Sequence, residues 1–573
     1  MNIFTNYLQK IINLVKKNQK ELKIENFNNF KGITVENPPP EFNFDLSCNI
    51  SLILAKSNKL NPRELANHIK KLILENFKEV KNIDIAGPGF INIKLDSNEI
   101  KKFIKDIFNK KNIFGCTKKL KFFNIEYVSA NPTGPMHVGH CRGAVYGDVL
   151  ANLLEFNGNK VVREYYINDY GNQIRNFVKS VFLRIREIKY KEKFLNDKNL
   201  YPGEYVVDIA KKIIKEVDSN FDNLDKSFEV LKIKSLEHSM ELIKSDLKDL
   251  GISHNNFISE TDLVNKNLID KTVIFLKKKK IVEEGYLNPP KGENSSGWIK
   301  TKRLIFKSTK FGDDSDRALQ KNDGSWTYFA NDVAYHMDKV SRKYDHLINV
   351  LGADHIGYIK RITSAVNALS DGKVKLECKV CQLVKLYKDG KPFKMSKRAG
   401  DFISLKNLLA EVDRDSIRFM MLNRSNDMEL DFDFNKILEK NKDNPVFYVQ
   451  YCYARINSLF RNINKKIEDC VDLGPENLNL NEYESKILRK IFDWPRVVET
   501  ASNKYEPHRI PFYLYELATL FHSYWSKGNE DRSFRFLENE KVKSTSTLAI
   551  IQLVSIVITN GMKILGVSLP KKM

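Results

Sequence analysis

Cysteine is scarce in this sequence, with 7 residues in a chain of 573. A chain of this length with so few cysteines is not held together by a disulfide framework. The one close pair, Cys378 and Cys381, lies on an alternating, strand-like stretch from Lys375 to Tyr387. A four-ligand zinc site would need a second pair or histidines at similar spacing, and the sequence offers neither. We therefore expect no structural metal bound by the protein, and a reducing, cytoplasmic location.

Long apolar runs are also missing, since no stretch of 18 consecutive apolar residues occurs. A membrane-spanning helix requires such a run, so no membrane partner is expected. Near the first residue, apolar side chains recur at helical spacing from Ile3 to Val15, with lysines between them. That pattern indicates an amphipathic helix and not the continuous apolar segment of a secretory signal.

Acidic residues are in deficit: Asp and Glu total 72 against 94 Lys and Arg, which leaves a net charge of +22. A large positive excess favours a polyanionic partner, because each neutralised phosphate releases counterions. The same excess also arises from AT-rich coding, which enriches Lys, Asn and Ile together. Both explanations stay open at this point. The 42% hydrophobic content is that of a globular protein with a large core.

The pattern of elements divides the chain into three regions. The first is typical of a small α+β module, with an opening helix and two strands around the Gly87-Pro88-Gly89 turn. The second is an α/β pattern interrupted by a lysine-rich, mostly helical insertion at about 175–310. In the third, every long segment favours a helix. The expected domains are residues 1–108, 109–440 and 441–573.

One βαβ unit is visible at the start of the second region. Residues 122–128 favour a strand, 129–135 a turn, 137–156 a helix and 160–167 a second strand. This order within about 45 residues predicts neighbouring strands of a parallel sheet, as in a Rossmann-type domain.

The turn of this unit ends in a short motif, His137-Val138-Gly139-His140. Histidines three residues apart share a face near the helix N-terminus, where free N–H groups and partial positive charge suit phosphate. Gly139 leaves room for an adenine ring to approach the backbone. The simpler interpretation is a pair of histidines that only caps the helix.

A second motif, Lys394-Met395-Ser396-Lys397, lies in a loop before the helix predicted from Leu405. Two lysines in a mobile loop can clamp a triphosphate while negative charge shifts towards the leaving diphosphate. In a chain so rich in lysine, an ordinary solvated loop is the alternative.

The two motifs, in this order on an α/β domain, resemble the two signatures of class I aminoacyl-tRNA synthetases. The flanking sequences resemble the arginyl member of that class, in its bacterial form. The first signature region includes Ala130, Asn131, Pro132, Thr133, Gly134, Pro135 and Met136 ahead of His137. Similar stretches are found at 166–173, 311–314, 328–336, 352–355 and 443–451, so the resemblance covers essentially the whole chain.

This resemblance implies a ligase that activates L-arginine with ATP and releases diphosphate. It then transfers arginine to the 3′-terminal adenosine of tRNA(Arg), with release of AMP. The implied architecture is a Rossmann-type parallel-sheet catalytic domain between a small α+β domain at the tRNA elbow and an all-α anticodon-binding domain. Implied partners are tRNA(Arg), L-arginine and ATP with Mg²⁺, and a monomer is expected.

The resemblance also assigns roles to residues at matching positions. ATP would be bound by His137, Val138, Gly139 and His140. Its phosphates would be contacted by Lys394, Met395, Ser396 and Lys397. Four of these residues would be catalytic: His137, His140, Lys394 and Lys397. Glu126 and Asp332 would face the guanidinium beside Tyr328, because a planar cation with five donors suits carboxylates. Ser129, Asn131 and His355 would hold the α-amino and α-carboxyl groups.

Simpler interpretations of these residues remain. Glu126 could form a structural ion pair, while Asp332 and His355 could each cap a helix. Another class I synthetase, such as a glutamyl or cysteinyl enzyme, is the main enzymatic alternative. A glutamate pocket would need cations where Glu126 and Asp332 offer carboxylates, and the cysteinyl enzyme needs zinc ligands. A synthetase-like tRNA-binding protein without activity is the non-enzymatic alternative.

Overall fold

The computed structural model describes residues 2–26, 30–39, 41–117, 120–195, 197–287, 301–393, 403–474, 478–538 and 541–573. The chain forms two compact units. One contains Met1–Lys118 together with Glu439–Met573, and the other contains Lys119–Leu438. The first and last of the expected domains therefore lie within one unit.

The N-terminal segment combines four helices with a four-stranded sheet. Its elements are α1 Ile3–Lys17, β1 Val35–Glu36, β2 Leu46–Cys48, α2 Ile50–Asn58, α3 Pro62–Asn76, β3 Val80–Ala86, β4 Phe90–Leu95 and α4 Ser97–Lys110. The strands are antiparallel in the order β1-β2-β4-β3. The predicted amphipathic helix is confirmed, because the apolar face of α1, including Phe4, Tyr7 and Ile11, is buried.

The second unit carries most of the strands. Its elements are β5 Phe122–Glu126, α5 Val138–Phe156, β6 Lys160–Ile167, α6 Asn172–Tyr190, α7 Glu204–Glu216, α8 Leu224–Asp249, β7 Asn256–Ser259, α9 Glu260–Asn265, α10 Leu268–Lys278, β8 Val282–Gly285, β9 Arg303–Phe306, β10 Arg317–Ala318, α11 Tyr328–Ser341, β11 His346–Gly352, α12 Ile359–Ser370, β12 Lys375–Cys381, β13 Val384–Lys388, β14 Lys391–Pro392, α13 Leu405–Glu411, α14 Arg414–Met420, β15 Leu430–Asp433 and α15 Phe434–Leu438. The predicted βαβ unit is confirmed as β5, α5 and β6.

Five strands form a parallel sheet in the order β12-β11-β5-β6-β7. From β5 the chain passes through α5 to β6 on one side, whereas β11 lies on the other side of β5. This reversal makes the carboxyl ends of β5 and β11 a switch point, where ligands of open parallel sheets bind. Helices α6, α7 and α8 share an apolar core of their own, but β7 then returns the chain to the sheet. The segment at about 175–310 is therefore not helical throughout.

The C-terminal segment is helical apart from one small hairpin. Its elements are α16 Pro445–Asn462, α17 Glu482–Lys504, α18 Arg509–Glu530, β16 Leu537–Glu538, β17 Lys541–Val542 and α19 Thr545–Leu565. Trp494 Nε1 donates to Phe114 O at 2.8 Å, and Arg489 Nη1 donates to Phe42 O at 2.9 Å. These bonds join the helices to the N-terminal segment of the same unit.

Among the described residues, α19 is the one helix whose length and apolar composition would allow it to cross a membrane. It is interrupted by polar residues such as Gln552 and Asn560, so it contains no run of 18 consecutive apolar residues. Most of its apolar window, 83%, is buried inside the structure.

Candidate active site

The backbone turns sharply where β5 ends, next to the switch point of the sheet. Val128 and Ser129 follow with φ values of +71° and +40°. Two consecutive residues with side chains in the left-handed region are unfavourable, most of all for a β-branched valine. The Ser129 hydroxyl donates to Glu126 Oε1 at 3.1 Å and accepts the Tyr166 N–H at 3.1 Å, which ties the turn to β6.

The first signature opens helix α5. His137 is the N-cap, and its Nδ1 accepts the Gly139 N–H at 3.1 Å. His140 Nδ1 in turn accepts the His137 N–H at 3.4 Å, and the two rings lie 3.8 Å apart between centroids. The capping interpretation of His137 is thus correct, and it does not exclude a role with ATP.

The same contacts fix the protonation of both rings. Burial lowers the pKa of His137, and burial together with the neighbouring His137 lowers the pKa of His140 to about 4. Both rings are therefore neutral near pH 7. Because each Nδ1 accepts a backbone N–H, each ring carries its hydrogen on Nε2. The helix N-terminus thus presents imidazole donors as well as backbone N–H groups.

The second signature, Lys394 to Lys397, lies outside the described residues. The described chain resumes at Ile403, and there it pairs with the first signature. Val138 N donates to Ile403 O at 3.0 Å, and Leu405 N donates to Met136 O at 2.9 Å. An isolated bridge joins His137 to Ser404. The residues after the loop are therefore held against the start of α5.

Asp332 lies one turn into helix α11, whose N-cap is Thr327. The interpretation of Asp332 as a helix cap is therefore wrong. Its carboxylate accepts a hydrogen bond from the Tyr358 hydroxyl. Burial, with the nearby charges of Glu260 and Glu126, raises the pKa of Asp332 to about 7 against the opposing effect of Tyr358. A carboxyl group in this state is poised to gain from an incoming cation.

Glu260 is a second acidic group here that the sequence interpretation missed. It is the first residue of α9, directly after β7, and is 5% exposed. Its Oε1 accepts from Asn331 Nδ2 at 2.7 Å. Burial and the nearby Asp169 raise its pKa, although the bond from Asn331 opposes them. Glu260 directly follows the carboxyl end of the parallel strand β7, just as Glu126 is the last residue of β5. This position at a strand end could have identified Glu260, but the sequence pattern around β7 was interpreted as part of a helical insertion.

Glu126 is already well bonded. Its carboxylate accepts from Lys339 Nζ and, at 3.0 Å, from the Tyr335 hydroxyl, besides the bond from Ser129. The side chain is 13% exposed. The alternative of a structural ion pair is thus seen in the structure.

The remaining candidates for arginine lie at the rim. Tyr328 is the first residue of α11, one turn before Asp332, and is 73% exposed. Asn131 Nδ2 donates to Gln173 Oε1 at 2.7 Å, and His355 Nε2 lies 3.3 Å from Asp354 Oδ2. His355 belongs to a 3-10 helix, Ala353–Tyr358, whose N-cap is Gly352, so it is not a cap. Among the described residues, none of the three hydrogen bonds to Asp332 or Glu126.

Cys378 and Cys381 are free thiols on β12. Burial raises the pKa of each to about 12, so both are neutral thiols near pH 7. Over the described parts of the chain, no group of three or more His, Cys, Asp or Glu side chains has the geometry of a metal site.

Three family models match the chain. Residues 104–458 match "tRNA synthetases class I (R), catalytic domain", residues 6–95 match "Arginyl tRNA synthetase N terminal domain", and residues 449–573 match "DALR anticodon binding domain". The first of these spans more than half of the chain.

Curated relatives are similar along the whole chain. An arginine–tRNA ligase of Pelagibacter ubique (strain HTCC1062) is 53% identical over 577 residues, and one of Bartonella bacilliformis is 44% identical over 589. Both alignments cover 100% of each chain.

Two solved structures share the fold. The putative arginyl-tRNA synthetase of Campylobacter jejuni has a TM-score of 0.72 at 32% identity, over 84% of this chain and 100% of that one. The arginyl-tRNA synthetase of Thermus thermophilus has a TM-score of 0.72 at 18% identity over 100% of both chains, which bears on fold alone. With a catalytic-domain match over most of the chain and relatives this similar over its full length, the chain belongs to the arginyl-tRNA synthetase family of class I.

Proposed function

We propose that this chain activates L-arginine with ATP and esterifies it to the 3′-terminal adenosine of tRNA(Arg). The observation that carries the proposal is the clustering of Asp332, Glu260 and Glu126 beside a helix N-terminus capped by His137. A pocket of carboxylates suits a guanidinium, and a helix N-terminus suits phosphate. Both lie at the carboxyl edge of one parallel sheet, in a chain of the arginyl family.

On the nucleotide side, His137, Val138, Gly139 and His140 hold ATP. Lys394, Met395, Ser396 and Lys397 would bind its phosphates, and Mg²⁺ would be held through the same phosphates, since Mg²⁺ is usually bound through substrate phosphates. The arginine carboxylate attacks the α-phosphate, forming the adenylate as the bond to diphosphate breaks. Neutral imidazole donors and lysines stabilise the charge that develops on phosphate oxygens, so catalysis is positioning and electrostatic stabilisation.

On the amino-acid side, Asp332 receives the guanidinium, and Glu260 adds a second carboxylate from α9. Glu126 and Tyr328 border the same space, and Ser129, Asn131 and His355 orient the α-amino and α-carboxyl groups. In the second step, the ribose hydroxyl of the tRNA terminus attacks the adenylate carbonyl, and AMP leaves. No protein side chain is needed as a nucleophile.

The outer regions bind tRNA in this proposal. Residues 1–108 contact the elbow, and residues 441–573 contact the anticodon stem and loop through basic and aromatic side chains. The net charge of +22 supports a polyanionic partner. We expect a cytoplasmic monomer whose arginine activation requires tRNA; exchange of pyrophosphate into ATP that is equal with and without tRNA would contradict that requirement.

The test of the function is aminoacylation of total tRNA with each of the twenty amino acids. Esterification of arginine alone is the expected result. Esterification of glutamate or cysteine would support another class I enzyme, and tRNA binding without any esterification would support the inactive tRNA-binding protein.

A further inference from the structure

A lysine is completely buried behind the amino-acid side of the site. Lys339 lies on α11, two turns after Asp332, and its side chain is 0% exposed. Its Nζ donates to Glu126 Oε2 and to Asn349 Oδ1, the latter at 3.1 Å. The ammonium also lies 4.6 Å from the centre of the Tyr335 ring. A buried charge is tolerated only when paired and hydrogen-bonded, as this one is.

A second ion pair lies beside the first. Glu164 on β6 is held by Arg342, whose Nη2 donates to Oε1 at 2.9 Å, and Lys339 is 4.0 Å away. Burial opposes its ionisation, but the bonds from Arg342 and the charge of Lys339 lower the pKa of Glu164 to about 2. The Tyr335 hydroxyl bridges the pairs, at 3.0 Å from Glu126 and 2.8 Å from Glu164.

The two glutamates of this network differ in exposure and in the groups that they contact. Glu164 has a side chain that is 0% exposed, so its carboxylate serves the interior alone. Glu126 is 13% exposed, ends the strand at the switch point and reaches the strained turn through Ser129. Lys339 contacts Oε2 of Glu126 from the interior, whereas the Ser129 hydroxyl contacts Oε1.

We propose that Lys339 is a positioning residue for arginine recognition, acting through Glu126. It fixes one carboxylate oxygen from behind, so that the other oxygen and the Ser129 hydroxyl keep a single orientation towards the amino acid. The inference rests on the proposed function, because it presumes that Glu126 borders the arginine site. Other groups around Lys339 are His336 and Tyr335 on its own helix, Asn349 on β11 and Cys378 on β12.

The test is steady-state kinetics of arginylation by the full chain with Lys339→Met. Methionine keeps the length of the side chain and removes its charge, so Glu126 loses its buried partner. We expect the KM for arginine to rise by about 10–100-fold while the KM for ATP stays within about twofold. A purely structural lysine would lower the melting temperature and leave the KM for arginine unchanged, and that result would overturn the proposal.

Arg342→Met is the matched control, because it removes the cation of the neighbouring pair at the C-cap of the same helix. It should lower the melting temperature while changing the KM for arginine less than about threefold. An equal rise in this variant would mean that loss of either cation of this network disturbs the site, which contradicts a specific role for Lys339.

A double variant keeps the test decisive if Lys339→Met does not fold. Lys339→Met/Glu126→Gln leaves no unpaired buried charge at this position. If Lys339 acts through Glu126, its KM for arginine should agree within about twofold with that of Glu126→Gln alone. A further large rise would show that Lys339 acts by another route. If the unmodified chain fails to use arginine at all, the proposed function is wrong, which is a different outcome from an unchanged KM in an active enzyme.

Discussion

The proposed nucleotide side of the site and the proposed arginine side lie at one edge of the sheet, but they are built from different groups. Around His137 and His140 the donors are neutral imidazoles and backbone N–H groups at a helix end. Around Asp332 the groups are carboxylates, supported by a second layer of buried ion pairs that includes Lys339. The groups around His137 and His140 are uncharged before ATP binds, whereas the groups around Asp332 are carboxyl groups held close together.

This difference indicates how each side responds to its ligand. The hydrogen bonds of His137 and His140 orient both rings before ATP binds, so the proposed nucleotide side is preorganised. On the arginine side, burial and neighbouring acids raise the pKa of Asp332 to about 7, which means that the surroundings of this carboxyl group disfavour its ionised form. A guanidinium removes that penalty, so the pocket should select for a bound cation.

The largest expected effect comes from removing the charge at the centre of the arginine side. Asp332→Asn removes the carboxylate that we place directly on the buried guanidinium, a loss of about 3–5 kcal/mol. The kcat/KM for arginine should fall by roughly 10²–10³-fold, while the KM for ATP stays near its original value. Steady-state arginylation with each substrate varied in turn measures both quantities.

Asp338→Asn is the control for this change, since Asp338 lies on the same helix and pairs with Arg342 at 3.0 Å. It should leave the kcat/KM for arginine within about twofold. A normal kcat/KM in Asp332→Asn, together with a lower melting temperature, would show that Asp332 has only a structural role. The carboxyl groups around it would then not form the arginine side of the site.

A slightly smaller effect is expected on the nucleotide side. His140→Ala removes a neutral donor that we place on the phosphates, and loss of one such donor typically costs roughly 10²-fold in kcat. The KM for arginine should not change. His346→Ala is the control, because His346 lies at the opposite end of β11, stacked on Phe123. Equal losses in the two variants would remove the specific role of His140.

The pH dependence should separate the two sides directly. The Asp332 carboxyl must be ionised to bind the guanidinium, and its pKa is about 7 in the free protein. The kcat/KM for arginine should therefore fall as the pH decreases through 7, approaching about tenfold per unit, with a proton released when arginine binds. The kcat/KM for ATP should stay level over this range, because the pKa of His140 is about 4.

Asp332→Asn supplies the control for the pH dependence. The variant lacks the titrating group, so its arginine profile should lose most of the decrease below pH 7. Glu260, whose pKa is also raised, and Tyr358, which bonds Asp332, are the nearby groups that could retain part of it. An unchanged profile would assign the ionisation elsewhere.

The two sides also differ in how far the sequence predicts them. The residues from His137 to His140, which we propose bind the nucleotide, are contiguous, and the predicted strand, turn and helix place them at the start of α5. The arginine side is assembled from β5, α9 and α11, and no local pattern joins Glu126, Glu260 and Asp332. The resemblance to the arginyl family identified Glu126 and Asp332 as candidates, but not Glu260. Glu260 was missed because β7 is only 4 residues long within a lysine-rich segment.

Long-range packing limited the prediction of the fold in the same way. Each helix of the C-terminal segment was visible from its own periodicity. Its association with the N-terminal segment depends on contacts such as Trp494 with Phe114, which are 380 residues apart in sequence. The sequence indicates that a buried indole N–H needs an acceptor, but it does not predict which carbonyl oxygen will accept the hydrogen bond. One consequence is that a 1–440 fragment would lose the packing partner of the N-terminal segment.

The smallest expected effect concerns the space at the start of α5. A Cβ at Gly139 would lie 2.8 Å from Cε1 and 2.9 Å from Nδ1 of His137, so Gly139→Ala must displace the ring. Displacement breaks the bond by which His137 caps the helix and presents Nε2 to the nucleotide. We expect the KM for ATP to rise about 3–10-fold with the KM for arginine unchanged.

Gly143→Ala is the matched control on the same helix, because its Cβ would meet only Val350 Cγ1 at 3.9 Å. It should raise stability by about 0.4–1 kcal/mol and leave both KM values unchanged. If both substitutions gave the same kinetics, Gly139 would matter only for helix propensity, and the nucleotide side would not depend on the orientation of His137.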